Sequence, residues 1–516
     1  MLNKGQVNMR FLKKPVKLLH FSLILSGLNF LLFHFPFFRF VFDHLEYKSL
    51  NGFAIISSLV VLMIVANAFC FYLLLFVSRY VGKSLIILFF IASSLCVYFI
   101  NTYGVIIDES MLGNVINTKY EEASSFFSLK LILYILLLGV IPSIYIIKAK
   151  IIKVPIKRFL VTTALTLLFM LVMVFVNASN WLWIDKNSKQ LGGLAMPWAY
   201  TVNIPLFYIH KAQKNQKEIL LPNATIEDSI KSVVVLVIGE SARRQDFSLY
   251  GYPKNTNPYL SRTPNVYSYP AKSAATYTTA GVKSILEHKK SGKLYEILPN
   301  YLYRNKVGVI WRTTNWGEPP VHIKTYQKRK DLLPLCKGPD CSYDEILLAG
   351  LNAQILATHK NKVLVVLHTS TSHGPTYSKK YPPRFETFKP VCNSVELGDC
   401  SHQELINAYD NTIVYTDYIL HRLIEDLKGL KQYRTAMIFV SDHGESLGEN
   451  NLYMHGLPLS IAPKEQYEIP FVVWTSDSTK QLKPVQMVSQ NYVFHSVLNF
   501  LDIQSPIYNS DLSIFK

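Results

Sequence analysis

Hydrophobic residues along this chain follow two different rhythms. In the first third they form five long runs, at 18–38, 53–76, 84–103, 131–147 and 159–176, separated by polar or basic segments. A hydrocarbon layer of about 30 Å takes about 20 apolar residues in helical form, so each run predicts one membrane crossing. From residue 232 onward the rhythm changes to short apolar runs alternating with longer amphipathic stretches. Runs at 233–238, 307–311, 363–367, 436–440 and 471–474 predict strands; they are too short to span a bilayer as helices. HQELINAYDNTIVYTDYILHRLIEDLKGL, from His402, has apolar residues at helical spacing and meets Gly429 at its end, which predicts a surface helix. Strands alternating with helices imply a parallel-rich sheet covered on both faces. The expected architecture is an α-helical transmembrane domain of five spans, residues 1–176 with an outer loop at 104–129, then a bridging segment at 177–231 and an α/β domain at 232–516.

Charge orients this arrangement. Lys4, Arg10, Lys13, Lys14 and Lys17 precede the first run, Arg79 and Lys83 lie between the second and third, and KAKIIKVPIKR precedes the fifth. Placing these segments in the cytoplasm puts everything after Asn177 outside, which for a bacterial-type inner membrane is the periplasm. No small-residue cleavage site follows the basic start, so the first run reads as a retained helix rather than a signal peptide. A net charge of +18 would fit a nucleic-acid binder. Much of it flanks the apolar runs, however, so nucleic acid is set aside as a partner in favour of the membrane and its anionic surface. Charged residues make up 17% of the 516, below the roughly 25% of soluble proteins.

Two further segments belong to the outer face. YGVIIDESMLGNVINTKYEEA reads as an amphipathic helix lying on the bilayer, and the segment from Asn177 as an interfacial bridge anchored by Trp181 and Trp183. Of six cysteines, Cys70 and Cys96 lie in apolar runs, whereas Cys336 with Cys341 and Cys392 with Cys400 form two local loop pairs. Such pairs read as disulfides of an oxidising compartment; zinc binding is the competing reading, against which neither pair has C-x-x-C spacing.

Ligand-type side chains stand at the ends of three predicted strands: Glu240 after the first, His368 and His373 beyond the third, and Asp442 with His443 after the fourth, with His455 returning nearby. Open α/β sheets bind ligands at that edge, and carboxylates with imidazoles suit zinc or another divalent cation. The plainer readings are a helix cap for Glu240 and a hydrogen-bonded core histidine for any one of the others. Candidate nucleophiles stand in AKSAATYTTAGVKSI, where Ser273, Thr276, Thr278 and Thr279 precede a predicted helix. Spacing alone does not choose among them, and one of the threonines would serve equally as an N-cap.

GESARRQDFSLYGY, SHGPTYSKKYPP, the SDHGESLGE to MHG segment and YGVIIDESMLGNVINTKYEEA together resemble the bacterial phosphoethanolamine transferases that modify lipid A and other envelope acceptors. The resemblance extends over nearly the whole chain and implies five spans before a periplasmic domain of the alkaline phosphatase and sulfatase type. It implies Zn2+ held by Glu240, Asp442, His443 and the nucleophile Thr278, the second threonine of the family's T-x-T pattern, with Thr276 as the fallback. It implies that His373 and His455 lie around the transferred phosphate or a second metal, and that Asn114, Thr118 and Glu122 reach the donor head group. The implied donor is phosphatidylethanolamine and the implied acceptor lipid A, or another envelope glycan or protein; a phosphoglycerol transferase or sulfatase-like hydrolase of the same superfamily is the alternative. Added cationic amines on lipid A would weaken attraction of cationic peptides such as polymyxin. The chain departs from the family pattern at Gly281, Lys283 and Ser284, where Ser, Pro and Cys are usual, and at WRTTNWGEPP, where some members carry a cysteine-bearing turn.

Overall fold

The computed structural model describes residues 15–45, 47–118, 123–124, 126–176, 183–184, 187–214, 218–395, 397–476 and 480–516. They fall into two compact units, Met1–Gly113 with Phe127–Phe207, and Asn114–Phe126 with Tyr208–Lys516.

In the first unit four described helices are long and apolar enough to cross a membrane: Leu50–Val77, Arg79–Tyr103, Leu129–Lys148 and Ile156–Phe175. The first apolar run does not form the single straight helix expected of it. It is split into Leu18–Phe33 and Phe35–His44, bent by 62°, and supplies a fifth crossing if the bent pair is one span. Pro36 stands at the break, in the first turn of the second piece; it has no N–H to donate, and its ring would crowd the carbonyl four residues earlier in a continuous helix. Polar contacts tie the spans where apolar burial cannot distinguish neighbour from lipid. Asn67 Nδ2 donates to Asn29 Oδ1 at 3.1 Å, and Trp198 Nε1 donates to Asn67 Oδ1 at 2.8 Å. The basic connectors also carry structure: Lys83 Nζ donates to Ile147 O at 3.0 Å and Ala149 O at 2.6 Å, serving carbonyls at the end of a helix. Of the two anchoring tryptophans, Trp183 Nε1 donates to His44 O at 3.1 Å, and Trp181 lies outside the described residues.

The second unit is built on eight strands: β1 Ser232–Gly239, β2 Val266–Lys272, β3 Gly308–Thr313, β4 Thr325–Lys328, β5 Lys362–His368, β6 Arg434–Ser441, β7 Glu468–Thr475 and β8 Val488–Ser489, in the order β8-β2-β7-β6-β1-β5-β3-β4. All five runs read as strands are among them. β6, β1, β5, β3 and β4 run parallel. β7 runs antiparallel to both β6 and β2, because the connection from β6 stays at the edge where β6 ends and returns without a crossover. β2 escapes the apolar pattern: its burial is intermittent and Pro270 interrupts it, paired with Pro470 of β7.

Two helices of this unit are α1 Thr278–Leu286 and α2 His402–Lys428. α2 starts with a capping box, Ser401 bonding the Glu404 N–H and Glu404 reaching back to Ser401. The sheet register then aligns the chemistry. Ile238 lies opposite both His368 and Val440, Gly239 opposite Ser441, and Thr313 opposite His368, so the residues following β1, β3, β5 and β6 emerge at one edge.

Candidate metal centre and active site

Glu240, Asp442 and His443 meet at that edge, fully buried, each offering a ligand atom within 4.8 Å of the others. Their second contacts orient them. His443 Nδ1 stands 2.8 Å from Gly444 O, so that nitrogen carries the hydrogen. Nε2 therefore faces Glu240 Oε1 at 3.3 Å and Asp442 Oδ2 at 3.4 Å. Asp442 Oδ1 accepts from the backbone N–H of Ser241 at 3.1 Å and of His443 at 2.7 Å, while its buried Oδ2 accepts no hydrogen bond. Two carboxylates, one of them with an orphaned oxygen, and an imidazole nitrogen facing one point favour a positive charge there. The side chains register the same need. Burial and the Glu240 charge push the Asp442 carboxyl up to about 7. His443, against the cost of its burial, is pushed up to about 10 by the Asp442 and Glu240 carboxylates. A divalent cation fits this donor set, and oxygen with imidazole is a zinc-type combination.

Thr278 is the first residue of α1 and is buried. Its Oγ1 lies 3.4 Å from Glu240 Oε2 and 3.3 Å from His443 Nε2. The N-cap of α1 is Tyr277, without a side-chain cap bond, so neither Thr276 nor Thr278 is spent as a cap. Thr276 Oγ1 instead donates to Leu457 O at 2.5 Å, and Ser273 Oγ to Ala275 O at 2.6 Å. Gly281 explains how α1 comes so near: a Cβ there would stand 2.2 Å from Asp442 O.

His455 and His373 adjoin the cluster. The His455 ring lies 4.2 Å from that of His443 and 5.5 Å from that of His373. His455 Nδ1 is 3.1 Å from Glu445 Oε1, and burial, with a contribution from the neighbouring His443, lowers its pKa. His368, though at the same edge, is not in the cluster; its Nδ1 lies 3.7 Å from Glu318 Oε2. In the segment 114–126, Thr118 Oγ1 donates to Asn114 O at 2.8 Å, and a Cβ on Gly456 would meet Asn114 Nδ2 at 3.6 Å. Glu122 lies outside the described residues. Both loop cysteine pairs are disulfides, Cys336–Cys341 and Cys392–Cys400. Two side chains hold Glu240: Ser241, next to it at the ligand edge of the strand, donates Oγ–H to Oε1 at 2.7 Å, and Asn315, not legible as a site residue, donates Nδ2–H to Oε2 at 2.7 Å. Only the position of Asn315, two residues beyond a strand at the ligand edge, would have marked it.

Residues 232–503 match the Sulfatase family and residues 53–212 the family described as phosphoethanolamine transferase EptA/EptB. Phosphoethanolamine transferase EptA of Helicobacter pylori is 40% identical over 533 residues, covering 99% of this chain and 98% of that protein. EptA of Salmonella typhimurium is 31% identical, covering 97% of each. Among solved structures, the integral membrane lipooligosaccharide phosphoethanolamine transferase A of Neisseria meningitidis superimposes with a TM-score of 0.86 at 26% identity, over 96% of this chain and 98% of that one. With spans, sheet and buried ligand cluster in this order, and with relatives matching end to end, the chain belongs to the EptA-type phosphoethanolamine transferases.

Proposed function

We propose that this enzyme transfers phosphoethanolamine from phosphatidylethanolamine to lipid A, in the inner membrane with its α/β domain in the periplasm, through a covalent intermediate on Thr278. One observation carries the reading: a hydroxyl at a helix N-terminus lies 3.3 and 3.4 Å from two members of a buried three-residue ligand cluster. Glu240, Asp442, His443 and Thr278 would hold Zn2+. When bound, zinc supplies a Lewis acid that makes a hydroxyl easier to deprotonate and offsets charge on phosphate oxygens.

Thr278 Oγ1 attacks the donor phosphorus, the bond from phosphorus to the diacylglycerol oxygen breaks, and diacylglycerol leaves with the proton that Thr278 gave up. The free N–H groups opening α1 face the phosphate oxygens. An acceptor oxygen then attacks the same phosphorus and the bond to Thr278 breaks, restoring the hydroxyl. His455, with Nδ1–H committed to Glu445, has Nε2 available to hold the proton the acceptor loses. His373, beside it, lines the same phosphate-facing side. Asn114, Thr118 and Glu122 are assigned to the donor head group. A lipooligosaccharide-type acceptor is supported by the name of the Neisseria relative, and lipid A by the relatives of Salmonella typhimurium and Escherichia coli named Kdo(2)-lipid A phosphoethanolamine 7''-transferase.

Intact mass spectrometry of the full-length, zinc-loaded protein in detergent, after exposure to phosphatidylethanolamine, tests the first half. A phosphoethanolamine adduct on the wild type, absent from Thr278→Ala, with matching diacylglycerol release, is expected. No adduct and no diacylglycerol from the wild type would reject the donor.

A further inference from the structure

The segment leaving β3, where some family members carry a cysteine-bearing turn, here supplies Asn315 to the metal centre. Every polar atom of that side chain is committed. One Nδ2 hydrogen goes to Glu240 Oε2 at 2.7 Å and the other to Thr369 O at 2.8 Å, while Oδ1 accepts from Trp316 N–H at 2.9 Å. The Asn315 N–H is itself held by Thr313 Oγ1 at 2.9 Å. Thr369 is fastened to β1, its N–H and Oγ1 both donating to Ile238 O, at 3.0 and 3.1 Å. The amide therefore cannot flip without setting its oxygen against the carboxylate. Two residues on, Gly317, at φ +100°, comes so close to the nucleophile that a Cβ would stand 3.0 Å from Thr278 Cγ2.

We propose that Asn315 is a positioning residue of the metal centre, fixing the Glu240 carboxylate for the cation while the same segment seats Thr278 beside it. The inference rests on the metal reading given under Proposed function. The choice of an amide has a physical reason. Glu240 must be oriented through Oε2 without losing its charge, because that charge is what attracts the cation. A lysine or arginine would neutralise it and compete with the metal, and an aspartate would repel it. A neutral N–H donor orients the oxygen and leaves the charge in place. Ser241, on Oε1, is also a neutral donor.

The test measures zinc affinity by chelator competition on the full-length protein in detergent, together with the melting temperature of the zinc-free protein, for wild type, Asn315→Ala and Asn315→Leu. The leucine variant fills most of the amide's volume and carries the test if alanine fails to fold. Expected is a zinc Kd raised about 10–100-fold, a zinc-free protein that melts lower than wild type but still in one cooperative transition, and a Thr278 adduct that returns when zinc exceeds the new Kd. An unchanged Kd in a folded variant overturns the proposal, as does loss of the adduct that saturating zinc leaves unrestored. A wild type that binds no zinc would overturn the metal reading itself, a result distinct from either.

Discussion

At the scale of single residues, the site is decided by which polar atoms are already engaged. Thr276 and Ser273 have their hydroxyls on backbone carbonyls, whereas Thr278 Oγ1 faces Glu240 and His443. Thr278→Ser preserves the oxygen and loses only the methyl, so it is expected to retain a reduced rate of adduct formation. A serine variant as inert as Thr278→Ala in the mass measurement would place the nucleophile elsewhere. Gly281 acts through what it lacks. Its missing side chain lets α1 approach to where a Cβ would lie 2.2 Å from Asp442 O, so Gly281→Ser must push the helix from the end of β6. A loss of about 1–3 kcal/mol is expected from such overpacking, read as a lower melting temperature and weakened zinc binding. Normal stability and zinc affinity in that variant would mean the helix has room to shift.

At the scale of elements, the edge of the sheet opposite the site is fastened by Asp502. Arg434 at the start of β6, Lys362 at the start of β5, and Lys480 all reach its carboxylate, Lys480 at 2.6 Å and Lys362 at 3.6 Å. Burial alone would push this carboxyl up, but hydrogen bonds from Lys480 and Arg434 outweigh it and hold the group below its usual range. A carboxyl depressed in the folded state stabilises fully above its unfolded value, near 4, and the contribution disappears as pH falls through the folded value. Asp502→Asn is therefore expected to cost about 1–3 kcal/mol at pH 7, and the gap to wild type should close as the pH is lowered past about 4. Melting curves across pH decide this; a gap independent of pH would assign the loss to packing. Asn is the suitable substitute because position 502 has φ +52°, which Asn tolerates.

At the scale of the whole molecule, binding that exists only in the folded state stabilises by mass action. Chelating zinc from the loaded enzyme should remove about 4 kcal/mol when free zinc had been 1,000 times its Kd, and Glu240→Gln should lose most of this response. A melting temperature indifferent to chelation would leave the cluster without its cation. In cells, loss of the gene should yield lipid A without the phosphoethanolamine mass and raise sensitivity to cationic peptides, because an added amine reduces the negative surface that attracts them. Identical lipid A masses with and without the gene would move the acceptor to another envelope glycan or protein.

Much of this was already determined by the chain taken alone. Five apolar runs, five strand positions and the long helix from His402 depend on how each residue partitions between water and an apolar phase, and on periods of a few residues, so they can be read locally. The ligand-type residues Glu240, Asp442 and His443 were legible for a related reason: strands of a parallel sheet end at a common edge, which marks any polar residue just beyond one. The tertiary structure alone decided the rest. It decided that Thr278 rather than Thr276 has its hydroxyl in the cluster, that His368 faces Glu318, that β7 runs antiparallel, and that Asn315 reaches Glu240. Each of these depends on residues far apart in sequence being brought together by sheet register, a relation that no local pattern encodes.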